Sequence, residues 1–132
     1  YIDSVAILDQ PLYHYCENEG SLTQKVDASR FYKVKKMYEY IKKTYMNLIF
    51  NDEETRLRFA RLMLSYIRLS VMQVGKSTKN PELIRDICND QFAKEIVNSY
   101  PINKLPFKQK VFAYLLKHRC AFLLRTICRA YQ

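Results

Sequence analysis

Tyr13, His14, Tyr15 and Cys16 stand side by side, the turn-like Glu17-Asn18-Glu19-Gly20 follows, and Ser21 and Thr23 come next. Phenols, an imidazole, a thiol and two hydroxyls in so short a stretch form a dense set of hydrogen-bonding groups. Gly20 can take the positive φ that such a turn often needs. Ser21 and Thr23 could meet a ligand or cap the segment that follows. His14-Tyr15-Cys16 and His118-Arg119-Cys120 also contain zinc-ligand types. Residues two apart on a helix point away from each other, so His118 and Cys120 are not expected to converge on one ion, and no metal site is expected. Asp3, Asp9, Asp52, Asp86 and Asp90 are isolated carboxylates, and the Asp52-Glu53-Glu54 cluster reads as a helix start.

Positive charge is the third chemical feature. The formal net charge is +9, and no acidic residue follows Glu95, while Lys104, Lys108, Lys110, Lys117, Arg119, Arg125 and Arg129 do. A second basic run holds Arg30, Lys33, Lys35, Lys36, Lys42 and Lys43. Such patches favour an anionic partner: phospholipid, nucleic acid or a phosphorylated substrate. A broad apolar face beside Lys and Arg without acids is the pattern of a helix lying at a membrane interface, with Phe112, Leu116 and Leu123 as its apolar contacts. The same pattern fits an ordinary packing helix whose basic side chains extend into solvent. The 11 tyrosines could stack on bases, but most fall on or beside apolar stripes and no nucleic-acid motif is recognisable, so nucleic acid is not the expected partner. A purely structural dimerisation module is the remaining alternative.

These side chains need elements to position them. The chain of 132 residues fits one domain, and 48% hydrophobic residues suffice for a core. With Gly 2 and Pro 4, a sandwich or barrel rich in tight turns is not expected, and Leu, Ile, Lys, Arg and Tyr suit helices. The expected fold is mainly α, about four helices in antiparallel hairpins, preceded by an extended strand-like N-terminal segment. Residues 5–16 form the strand candidate, with Val5, Ile7, Leu12, Tyr13 and Tyr15 requiring a sheet that the rest of the chain does not offer.

A first helix is expected from Asp27 to Phe50, with Phe31, Val34, Tyr38, Ile41, Tyr45 and Leu48 as its stripe and Lys35, Lys36, Lys42 and Lys43 turned to solvent. A second opens at Asn51-Asp52-Glu53-Glu54, runs through Leu57, Ala60, Leu64, Ile67, Val71 and Val74 as the central helix, and stops at Gly75. A third follows Asn80-Pro81-Glu82, with Ile84, Ile87 or Cys88, Phe92 and Ile96 inward, and ends before Pro101. A fourth runs roughly from Phe107 to Ala130, its apolar face formed by Phe112, Leu115, Leu116, Phe122, Leu123 and Ile127 and widened by Val111, Leu124 and Cys128. Cys16, Cys88, Cys120 and Cys128 lack paired spacing and read as reduced thiols. No apolar run approaches the roughly 20 residues needed to span a bilayer.

The order Pro11-Leu12-Tyr13-His14-Tyr15-Cys16 followed by Gly20-Ser21-Leu22-Thr23 closely resembles the segment that leaves the catalytic domain in bacterial family 2 glycosyltransferases with a GT-A fold. There a strand ends in a Pro-Leu-Tyr-x-Tyr-Arg pattern, and Gly-Ser-[Ile/Leu]-Thr follows. The resemblance covers about residues 5–24. Lys104 to Lys110, leading into Leu115-Leu116-Lys117 and Phe122-Leu123-Leu124, is similar to the C-terminal helix of many such enzymes.

The resemblance implies that residues 1–24 are a strand and exit loop of a GT-A catalytic domain lying upstream, and 25–132 a C-terminal helical domain. The start at Tyr1 fits that expectation. It implies a parent enzyme, of hexosyltransferase type, moving a sugar from a nucleotide-sugar donor to a glycan or lipid-linked acceptor in cell-surface polysaccharide synthesis. The parent would use Mg²⁺ or Mn²⁺ and act in the cytoplasm, peripherally at the inner face of the membrane. Tyr13, Tyr15, Ser21 and Thr23 match the substrate-binding positions. Cys16 stands where the family has Arg, and a thiol cannot replace a guanidinium as a phosphate clamp; His14 is the neighbouring substitute. An Asp-x-Asp metal motif and a carboxylate base are absent, so this chain itself is expected to hold no catalytic residue and no cofactor. Lys108, Lys110, Lys117, Arg119, Arg125 and Arg129 would make the membrane or anion contact.

Overall fold

Asp27 turns the chain into its first helix in the computed structural model, which describes residues 27–76 and 82–130. Its carboxylate accepts from the Ser29 backbone N–H at 2.9 Å and hydroxyl at 2.6 Å, and pairs with Lys33 at 2.8 Å. These contacts, Lys33 first, hold the Asp27 carboxyl down at about 2. The helix proper, α1 (Arg30–Phe50), begins three residues later than Asp27, with Ser29 at the cap position. Phe31, Val34 and Tyr38 are buried, as their spacing predicts. At Tyr45 the backbone leaves helical geometry (φ −119°, ψ 21°), and Tyr45, expected in the stripe, is exposed; the side chain of Leu48 lies outside the described ones.

Asp52 starts α2 (Glu53–Lys76) by accepting from the Thr55 backbone N–H at 2.7 Å and its hydroxyl at 2.6 Å. This satisfies a backbone donor that has no partner within the helix. Thr55 thereby holds the Asp52 carboxyl below its ordinary value. Asn51-Asp52 is too short to do more than reverse direction, and α1 and α2 pack along each other. Ala60, Met63, Leu64, Ile67, Val71 and Val74 of α2 are buried. Each fully buried large side chain among them contributes roughly 1.5–3 kcal/mol by leaving water. As expected α2 is central: it touches α1 and three of the later helices.

α2 extends to Lys76, one residue past the Gly75 expected to stop it, and Gly75 lies in the helix's last turn. A Cβ there would stand 2.3 Å from the Cys128 Cβ, so the missing side chain is what lets the last helix approach. Glycine here is a packing residue.

The expected third helix is two helices. α3 (Glu82–Asn89) ends at Asp90, whose extended backbone (φ −66°, ψ 138°) breaks the ladder and whose carboxylate accepts from the Phe92 N–H at 2.8 Å to cap α4 (Gln91–Ser99). Ile84, Ile87, Cys88, Phe92 and Ile96 are all buried. The Asn80-Pro81 start signal lies outside the described residues. A 3-10 turn at Ile102–Lys104 then leads into α5 (Phe107–Lys117) and α6 (Ala121–Ala130).

The expected fourth helix is therefore also broken. Cys120 donates its backbone N–H to the Leu115 carbonyl at 2.9 Å and Arg119 donates to Leu116 at 3.1 Å, the paired bonds of a Schellman turn. Arg119 takes the left-handed position (φ 56°) usually filled by glycine. The turn resets the helical phase. Leu124 and Cys128 are buried as the seam of α6, whereas Phe122 (78% exposed) and Leu123 (49%) face outward. Among the described residues all regular structure is helical.

Candidate functional site

Tyr13, His14, Tyr15, Cys16, Ser21 and Thr23 lie outside the described residues, as does the strand candidate containing the first of them. The basic candidates lie within them. Lys108, Lys110, Lys117, Arg119 and Arg129 are exposed, and Arg125 is half-buried, its Nε sealed from solvent without a hydrogen-bond partner. Lys117 and Arg129 sit in the last turns of α5 and α6, where a cation meets the negative end of the helix dipole.

The phase of α5 decides which apolar groups reach a surface. Phe112 and Leu116 are buried, so two of the three residues expected to touch a membrane belong to the core instead. Phe107, Lys110, Tyr114 and Lys117 recur at spacings of three and four on the opposite face, and all four are exposed. Phe107 is 79% exposed. On α6, Phe122, Arg125 and Arg129 have the same spacing. Aromatic rings and cations thus alternate on the outward faces. The Tyr114 ring also packs on His118, centroids 4.3 Å apart.

His118 and Cys120 are in the turn between α5 and α6, not on a helix as the spacing argument assumed. The Cys120 thiol donates to the His118 carbonyl at 3.6 Å. Among the described residues no group of three or more His, Cys, Asp or Glu side chains could hold a metal ion. Burial, aided by nearby Cys120, pushes the Cys88 thiol up to about 11, which keeps it protonated and unreactive at neutral pH.

A polar cluster that sequence reasoning missed ties α1 to α4. Lys35 reaches Asp90 at 2.8 Å and Lys42 reaches Glu95 at 2.5 Å, so two lysines expected to face solvent are cross-helix partners. Tyr38 donates its hydroxyl to Glu95 at 2.8 Å, and its ring stacks on Phe59 and leans on Phe92. Burial pushes the Glu95 carboxyl up, but the Lys42 and Tyr38 hydrogen bonds outweigh it and leave the group below its ordinary value. Burial first, then Glu95, pushes the Tyr38 phenol up. The hydrogen bond to Asp90 raises Lys35 against the desolvation that would lower it. With Asp90 also capping α4, the cluster is accounted for by structure. The asparagine and aspartate at 89–90 are the signal that could have revealed it, since both are favoured helix-start residues.

An apolar groove of about 370 Å³ opens between α2, α5 and α6. Met72, Phe107, Val111, Phe112, Leu124 and Ile127 supply most of its wall, and Arg68 and Lys108 its charge. The Arg68 Nε is buried with no hydrogen-bond partner, and among the described residues no carboxylate pairs with this guanidinium. A buried donor left unmatched costs about 1–3 kcal/mol.

Among the described residues no helix is long and apolar enough to cross a membrane. No protein-family model, curated protein or solved structure matches this chain.

Proposed function

We propose that the chain is the helical C-terminal portion of a family 2 glycosyltransferase and that the outward faces of α5 and α6 rest on an anionic membrane surface. In this reading the parent enzyme moves a sugar from a nucleotide-sugar donor, with Mg²⁺ or Mn²⁺, to a glycan or lipid-linked acceptor, and the helices hold the catalytic domain near that acceptor. What supports the transferase half is the residue order Pro11 to Thr23. Tyr13, Tyr15, Ser21 and Thr23 would border the donor and acceptor, and the helices would take no chemical step.

The observation that carries the membrane half is the exposed row Phe107, Lys110, Tyr114 and Lys117, in a region without a single acid after Glu95. Aromatic rings enter the interface while lysines meet lipid phosphates, and the two contributions add. An acid in this row would oppose both.

The test has two arms. The native gene product containing these residues is assayed for release of nucleoside diphosphate from a panel of nucleotide sugars with Mn²⁺ or Mg²⁺; release is expected, and none from any donor sinks the transferase half. The 132-residue chain is sedimented with vesicles of phosphatidylglycerol or phosphatidylcholine. Binding to the anionic vesicles alone is expected. Binding instead to naked DNA or RNA, falling steeply with salt, would replace the membrane with nucleic acid as partner.

A further inference from the structure

The groove between α2, α5 and α6 is not explained by either half of that reading. Its wall is apolar on three helices, yet Arg68 is set into it and Lys108 stands at it. A guanidinium in such a wall calls for an anion, and carboxylate is one of the two common groups, with phosphate, that its planar fork fits bidentately. Among the described residues none is supplied to Arg68. The volume, about 370 Å³, lies at the small end of ligand sites and suits one alkyl chain better than two.

We propose that this groove binds a medium-chain fatty acid, its alkyl chain against Met72, Val111, Phe112 and Ile127 and its carboxylate against Arg68. The complementarity is of two kinds in one place. Burying the chain removes apolar surface of both partners from water, and the carboxylate neutralises a charge that meets no carboxylate among the described residues. Neither term needs a bilayer, so the site takes the acid as a dispersed monomer.

Titration calorimetry of the 132-residue chain with dodecanoate, below its micelle concentration, tests this, with dodecanol as the neutral chain and butanoate as the head alone. Saturable one-to-one binding of dodecanoate is expected, at least ten-fold tighter than butanoate. Arg68→Met keeps the apolar wall and should weaken dodecanoate at least ten-fold while leaving dodecanol unchanged. Val111→Trp fills the groove and should weaken both; if its thermal melt shows a damaged fold, Ile127→Phe takes its place. Phe122→Ser, outside the groove, should leave dodecanoate binding intact even if vesicle binding is lost, which separates this site from the membrane contact. The proposal is overturned if dodecanoate fails to saturate, if butanoate binds as tightly, or if neither Arg68→Met nor the groove-filling variant weakens it. A dimer broken by Val111→Trp, in a chain that ignores dodecanoate, would likewise overturn it and assign the groove to a second copy.

Discussion

On the α1–α4 side Lys35 and Lys42 each reach a carboxylate of another helix, at 2.8 Å and 2.5 Å, whereas on the α5–α6 side Lys110, Lys117, Arg119 and Arg129 meet no carboxylate among the described residues. Composition treats both sets alike, as parts of a net charge of +9. Their physics differs. The Lys35–Asp90 pair is mostly shielded from solvent (side chains 31% and 17% exposed), so salt screens it weakly and its loss would leave a half-buried charge. The second set is solvated, raises the local potential, and is free to meet an anion at little cost to the fold. Charge held by structure and charge offered to a partner are distinguishable only once helix phase is known.

The sharpest way to break this comparison is at the exposed rings. The double variant Phe107→Ser, Phe122→Ser should lower partitioning onto phosphatidylglycerol vesicles by roughly thirty-fold or more, about 2–3 kcal/mol, since each ring loses apolar area buried at the interface. Its thermal melt should stay close to the parent, because both rings are largely exposed in the fold. Unchanged partitioning would reduce the α5–α6 face to charge alone. Next in size is Asp90→Ala, which removes a helix cap and strands Lys35; urea unfolding should show a loss of about 2 kcal/mol. Lys117→Ala, the matched change on the other face, should stay within about 0.5 kcal/mol. Equal losses would erase the distinction.

Much of the helical fold is legible in the sequence where period and signal agree. Phe31, Val34 and Tyr38, the α2 run from Ala60 to Val74, and Ile84 to Ile96 are buried as their spacing predicts. The third-helix stripe survives the break at Asp90 because the break is short and the phase is kept. The stripe of the fourth is narrowed by the turn at Arg119: Leu124 and Cys128 stay buried, while Phe122 and Leu123 face outward. The groove was invisible for another reason. Arg68 lies on α2 and Val111 and Ile127 on α5 and α6, and no local spacing relates them.

Gly75 sits where the two sides are joined through α2, and replacing it sets two effects against each other. Ala is the better helix former by about 1 kcal/mol. Its Cβ would collide with Cys128 at 2.3 Å, and overpacking of that kind costs about 1–3 kcal/mol. The collision should win, giving Gly75→Ala a net loss of about 1 kcal/mol by urea unfolding. A gain instead would mean that α6 yields easily and is the looser side.

Acid and base should act on the α1–α4 side first. Glu95 has a folded value below its ordinary 4.5, so its contribution is complete above that pH and is lost as pH falls through the folded value. Lys35 lies above its ordinary 10.5, so its contribution is complete at neutral pH and is lost as pH rises past the folded value. Glu95 is 39% exposed, and solvent screening keeps its share under about 1 kcal/mol. Melting temperatures should therefore be flat near neutrality and drop toward both extremes, and Glu95→Gln should flatten the acid limb. An acid limb unaltered by Glu95→Gln would remove that pair from the structural set.

The smallest expected effect is at Arg119, where the two roles of charge and backbone can be pulled apart. An L-residue in the left-handed region carries a cost of about 1–2 kcal/mol that glycine escapes, while glycine gives up about 0.5–1 kcal/mol through its freer unfolded chain. Arg119→Gly should therefore stabilise the fold by about 0.5 kcal/mol, read as a slightly higher melting temperature, because the Schellman bonds from Cys120 and Arg119 use only backbone. The same variant removes one exposed cation, and vesicle binding should weaken by up to about 1 kcal/mol. Opposite signs in the two measurements are what a cation serving a partner, at some expense to the helix turn, requires. A loss of stability in Arg119→Gly would instead show that the guanidinium holds the turn, and would move Arg119 to the structural set with Lys35.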